Sequence, residues 1–173
     1  MTFAMATRLP PHFGAGAART GGFTLIELVV AVAIVGTLSA LAVPLLSVTM
    51  ERHKEDEVRL ALRQIRGALD AYHQAVVDKR VEAAADSNGY PDTLKSLTEG
   101  VPDITKPDRR PIYFLRRLPR DPFAADASAS AADTWGKRSY ASSPDDPKDG
   151  DDVFDVYSRS DHVALNGERI RTW

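Results

Sequence analysis

The chain has 173 residues, with 22 Lys and Arg against 24 Asp and Glu, a formal net charge of −2 and no cysteine. The missing cysteines exclude disulfides, thiol nucleophiles and thiolate metal sites. Arg8 and Arg19 are the only such charges in the first 22 residues, so the remainder sets 20 basic against all 24 acidic residues, a balance that argues against nucleic acid as a partner.

Residues 1–22 read as a basic leader rich in Gly and Ala. Residues 28–50 then carry no formal charge over 23 positions, and about 20 apolar residues suffice to cross the hydrocarbon core as a helix, so residues 23–50 are read as a transmembrane and polymerisation helix. The two arginines precede this run and the mixed-sign "ERHKEDEVR" follows it. The positive-inside bias therefore places the amino terminus in the cytoplasm and the rest outside. Ala40-Leu41-Ala42 offers a small-x-small site, so a conventional secretory signal with a mature start at Val43 is one reading and a plain single-span anchor is another. Both leave Glu27 without a purpose. A carboxylate at the centre of a spanning helix costs roughly 2.5–3.5 kcal/mol on insertion scales, and less near its end.

Gly22-Phe23-Thr24-Leu25-Ile26-Glu27, behind a basic leader and running into the apolar segment, resembles the class III signal of type IV prepilins and type II secretion pseudopilins. The resemblance implies that a membrane-embedded prepilin peptidase cuts after Gly22 on the cytoplasmic side and methylates the new amine of Phe23. It also implies that Glu27 pairs with the Phe23 amine of an adjacent subunit as a filament assembles. Both roles make physical sense. A charge in low dielectric is tolerated when an opposite charge neutralises it, and glycine, lacking Cβ, lets a peptidase approach the backbone closely. Gly36 and Pro44 bracket a segment that, on the same resemblance, loosens when subunits pack. An ordinary kink at Pro44, which removes a backbone hydrogen bond, is the other reading.

Beyond the apolar run, Val58, Leu62, Ile65, Leu69, Tyr72 and Val76 recur at steps of four and three, and Ala61, Ala68 and Ala75 widen the stripe. This predicts an amphipathic helix over residues 51–85 packed on the chain's own sheet. Glu55, Arg59, Arg63, Arg66 and Asp70 fall largely off that face and are expected in solvent or against neighbouring subunits. The low-complexity "VEAAADSNG" marks the expected end of the helix.

Residues 86–173 read as a small head. "YPDTLKSL" is a proline-opened helical turn, and "VPDITKPDRRP" a Pro-rich loop. Leu118-Pro119, Asp121-Pro122 and Phe123 resemble the turn that leads into the sheet of major pseudopilins, with Phe123 where tryptophan is common and an Ala/Ser/Asp-rich insert after it. "TWGKRSYAS" and "DDVFDVYSRS" alternate as strands across the turn-rich "SPDDPKDG". The acids Asp145, Asp146, Asp149, Asp151, Asp152, Asp155 and Asp161 suggest calcium by their chemistry, without EF-hand spacing. The resemblance implies a calcium site after the last strand, where Asp161 near Ser158 matches one part. The second expected carboxylate is replaced by Asn166 and Glu168, and solvated aspartates are the competing reading. The closing Trp173 is a further shared feature.

No G-x-S-x-G, Walker or H-E-x-x-H motif is present, and His12, His53, His73 and His162 are dispersed. The expected protein is therefore not an enzyme. Its fold class is α+β and type IV pilin-like, a long N-terminal helix on a small antiparallel sheet with a loop-rich C-terminal region. On the resemblance it is a major, G-type pseudopilin: a single-pass inner-membrane protein with a periplasmic head. Its expected partners are copies of itself, minor pseudopilins, the inner-membrane assembly platform with its ATPase, the prepilin peptidase and the membrane. A type IV pilus subunit and a conventionally anchored or secreted binding protein are the alternatives.

Overall fold

The computed structural model describes residues 22–84 and 87–173, with the side chains of residues 41–46 outside that description. Helix α1, Leu25–Val77, starts at Thr24. The Thr24 carbonyl accepts the Leu28 N–H at 3.1 Å, and its hydroxyl oxygen accepts the Glu27 N–H at 3.3 Å. A threonine followed three residues later by glutamate has the spacing of a capping box, in which a side chain satisfies a first-turn donor that lacks an intrahelical acceptor.

The chain forms two compact units, residues up to Val43 and Pro44–Trp173. Among the described residues no helix is long and apolar enough to cross a membrane. The uncharged run at residues 28–50 passes through residues 41–46, whose side chains lie outside the described set.

In the second unit the stripe read from the sequence is the buried face of α1. Val58, Ala61, Leu62, Ile65, Ala68 and Leu69 join Leu94, Leu97, Trp135, Val153, Val156, Ala164 and Ile170 in one core. Tyr72 closes its edge, with its ring centroid 5.3 Å from that of Phe114. Full burial of such a Leu, Ile or Val side chain contributes roughly 1.5–3 kcal/mol, so this face holds most of the head together.

Helix α1 ends at Val77, short of the expected region near residue 85. Lys79 turns into the left-handed region at φ 56°, and Arg80 N–H reaches back to the Ala75 carbonyl at 2.8 Å. This is a Schellman-type stop, here with lysine where glycine is usual. Val81 is then buried, and Arg80 Nη2 pairs with Asp103 Oδ2 at 2.9 Å. These contacts hold the chain beyond the stop.

After helix α2, Ser96–Glu99, the Pro-rich loop proves to be a short hairpin of β1, Val101–Pro102, and β2, Pro111–Ile112. Val101 pairs with Ile112 and Pro102 with Pro111. Each strand contains a proline, which has no N–H to extend the ladder, so the pair stays two residues long. The second sheet pairs β3, Trp135–Arg138, antiparallel with β4, Asp155–Ser158. This pair is the small antiparallel sheet expected from the sequence, and among the described residues the β1–β2 hairpin is a further two-stranded sheet. In the β3–β4 sheet, Gly136 faces Tyr157, and a Cβ at that position would lie 2.3 Å from the Tyr157 ring. Only glycine lets the ring lie flat across the strand pair.

Candidate assembly and processing site

At the amino-terminal end of α1 the apolar side chains are exposed rather than buried. Leu25 is 81% exposed, and Leu28, Val32, Val35 and Leu38 all exceed 60%. The polar side chains among them add no free donors: Thr37 donates to the Ile34 carbonyl at 2.8 Å and Ser39 to the Val35 carbonyl at 2.7 Å. The result is a continuous apolar surface, the kind that marks contact with lipid or another protein. Gly22 and Phe23 lie just before α1, Phe23 at 84% exposure. A Cβ built on Gly22 or Gly36 would meet nothing within 4 Å. Pro44 lies in α1 and its side chain lies outside the described residues.

Glu27 occupies the first turn of α1, where the positive end of the helix dipole favours a carboxylate. The structure thus adds Thr24 to the sequence-derived set, as the residue that fixes where the helix begins. The T-x-x-E spacing was the signal available for it.

In the head, several charged residues expected in solvent are engaged. Glu55 is buried and accepts the Leu165 N–H at 2.7 Å. Arg59 lies over the Trp173 ring at 4.1 Å. Arg66 donates to Asp155 Oδ1 at 2.8 Å and to the carbonyls of Val156 and Trp173 at 3.1 and 2.8 Å. Three of the five off-face residues therefore tie α1 to the carboxy-terminal segment. Arg63 and Asp70 remain exposed.

Five of the seven aspartates after β3 have individual partners. Asp152 is buried and accepts the Tyr140 N–H at 2.9 Å and Asn88 Nδ2 at 3.0 Å. Asp155 holds both Arg66 and Arg138. Asp146 pairs with Lys148, and Asp149 with Lys137 at 3.6 Å. Ser158 is fully buried and donates to Asp121 Oδ2 at 2.6 Å, whereas Asp161 is exposed and faces Arg169 and Arg171 at 3.9 and 3.7 Å. Among the described residues no three His, Asp or Glu side chains converge as a metal cluster. The hydroxyl of Ser158 is committed and the carboxylate of Asp161 is flanked by cations, so this pair does not fit a calcium site.

Asp121 is the junction of the Leu118–Phe123 turn. Besides holding Ser158, it accepts the Phe123 N–H at 2.8 Å, and its own N–H donates to Thr134 Oγ1 at 3.2 Å. Trp135 Nε1 donates to the Pro119 carbonyl at 2.9 Å. This turn therefore pins both strands of the second sheet.

Residues 18–43 match the prokaryotic N-terminal methylation motif. The type II secretion system core protein G of Dickeya chrysanthemi is 30% identical over 86% of this chain and 94% of that protein. The chain belongs to the type II secretion system core protein G family. The core protein G of Klebsiella pneumoniae is also 30% identical, over 78% of this chain and 93% of its own length. That of Pseudomonas aeruginosa is 31% identical over 75% and 86%. No solved structure matches. The matched residues 18–43 of this chain include Gly22, Phe23, Glu27 and Gly36.

Proposed function

We propose that this protein is a structural subunit of the type II secretion pseudopilus, processed between Gly22 and Phe23, methylated on the Phe23 amine, and polymerised through the start of α1. The observation that carries the reading is the apolar surface of α1, with Leu25, Leu28, Val32, Val35 and Leu38 exposed in the single subunit. Membership of the core protein G family supports it. Exposed apolar area of this kind is removed from water by lipid before assembly and by neighbouring subunits after it.

The chemistry of assembly is then association rather than catalysis. Cleavage after Gly22 creates a positive amine on Phe23, and methylation leaves that amine charged. Glu27, held in the first turn behind Thr24, supplies the opposite charge for the amine of an adjacent copy. Desolvating either charge alone is costly, so subunits settle in the register that brings the two together. The amino terminus faces the cytoplasm and the head the periplasm. The prepilin peptidase, the assembly platform with its ATPase and the minor pseudopilins act on this subunit in turn.

Mass spectrometry of the amino-terminal peptide from native membranes tests the reading. The expected peptide begins with N-methylated Phe23; a start at Val43 overturns it. In the same membranes Glu27→Ala is expected to insert normally and to lose most cross-linkable multimers.

A further inference from the structure

We infer that the carboxy-terminal segment, residues 158–173, is closed by its own side chains and by α1, so that the head folds without calcium. The segment contains two acidic side chains, Asp161 and Glu168, and three arginines, Arg159, Arg169 and Arg171. Calcium takes six to eight oxygen ligands, with carboxylates supplying the charge that holds it. Both carboxylates here already have partners within the segment. Glu168 Oε2 accepts Asn166 Nδ2 at 2.9 Å and Trp173 Nε1 at 3.2 Å. Asp161 Oδ1 lies 3.9 and 3.7 Å from the guanidinium groups of Arg169 and Arg171. A dication placed at Asp161 would meet the two guanidinium charges of Arg169 and Arg171 nearby, which opposes its binding.

Several neutral oxygens of the segment are committed too. Ser158 Oγ donates to Asp121 and accepts the Ser160 N–H at 3.1 Å. The carbonyls of His162, Ala164 and Glu168 accept the N–H groups of Ile170, Gly167 and Ala164 at 3.0, 2.8 and 2.8 Å.

A metal in such a segment would cross-link it and fix it to the head. Here that closure comes from α1. Glu55 holds the Leu165 N–H and Arg66 donates to the Trp173 main-chain oxygen, while Glu51 lies against His162. Phe123 stacks on His162, with ring centroids 4.8 Å apart. Between these ties Ala164 and Ile170 are buried in the core. The exposed pairs at Asp161 contribute little by themselves; the buried Glu55 contact and the two apolar anchors hold the segment.

The test is thermal unfolding of the full chain in detergent, followed by tryptophan fluorescence from Trp135 and Trp173, in EGTA and in millimolar calcium chloride. The wild-type midpoint is expected to agree between the two buffers within about 1 °C. Asp161→Asn is expected to match wild type in both. Glu55→Ala is expected to lower the midpoint by several degrees, equally in both buffers. A saturable rise of the wild-type midpoint with calcium, abolished in Asp161→Asn, overturns the inference, as does a Glu55→Ala midpoint that calcium restores. If Glu55→Ala does not fold, wild type and Asp161→Asn decide the matter between them.

Discussion

Within α1, Leu28, Val32 and Val35 stand 62, 64 and 62% exposed, whereas Leu62, Ile65 and Leu69, at similar helical spacing, are no more than 3% exposed. The side chains are of one kind, and the helical backbone is the same. What differs is the partner. Leu62, Ile65 and Leu69 meet residues contributed from far along the chain, including Leu97, Trp135, Val156 and Ile170, while the apolar side chains of the first stretch stay exposed in the single chain. Helical pattern therefore states which face is sticky, and only long-range topology states whether the chain itself covers that face.

The largest expected effect separates the two stretches directly. Ile65→Ala should cost the head about 2–5 kcal/mol, because it leaves a cavity in a fully buried site. Denaturant unfolding followed by tryptophan fluorescence measures this. Val32→Ala should leave the same transition unmoved and reduce cross-linked multimers in membranes. Equal destabilisation by both variants would break the comparison.

A smaller effect is expected at Arg66, whose side chain joins α1 to Asp155 and to the Val156 and Trp173 carbonyls. Arg66→Ala should cost about 1–3 kcal/mol, since partly buried acceptors lose a charged donor. Arg63→Ala, on the exposed side of the same helix, is the control and should lie within about 0.5 kcal/mol of wild type.

At the start of α1, Thr24→Ala should weaken the first turn by about 0.5–2 kcal/mol through loss of the cap. Amide hydrogen exchange at Glu27 and Leu28 should speed up while the head transition stays in place. A shift of the head transition would show that the two stretches are energetically coupled.

The smallest effect is one of pH. Hydrogen bonds from the Thr105 hydroxyl and from Arg80 hold the Asp103 carboxyl down, from 3.8 to about 2. A lowered folded-state value means that the charged form stabilises the fold. The contribution is present above about pH 4 and is lost as pH falls toward 2. Acid titration of Asp103→Asn should accordingly show a shallower loss of stability across that interval than wild type.

Much of this was legible from local pattern. The stripe from Val58 to Leu69 followed from helical period, and β3 and β4 lie within the two segments read as strands. The N-terminal methylation motif lies in contiguous residues, 18–43, so it needs no fold to be recognised. Glu55 was the opposite case. A glutamate off the apolar stripe reads as solvated, and only the return of Leu165 to α1 makes it a buried acceptor. Asp161 shows the same limit, because its acid chemistry suggested a metal, whereas its neighbours Arg169 and Arg171 make it one side of ion pairs.

The sequence by itself determined the apolar segment, the methylation motif and the buried stripe, because each rests on contiguous residues or on the 3.6-residue helical period. Tertiary structure alone decided where α1 stops, which charges leave solvent, and how residues 158–173 are closed. Those outcomes depend on residues such as Glu55 and Leu165, or Arg80 and Asp103, which are distant along the chain and become neighbours only when the core forms.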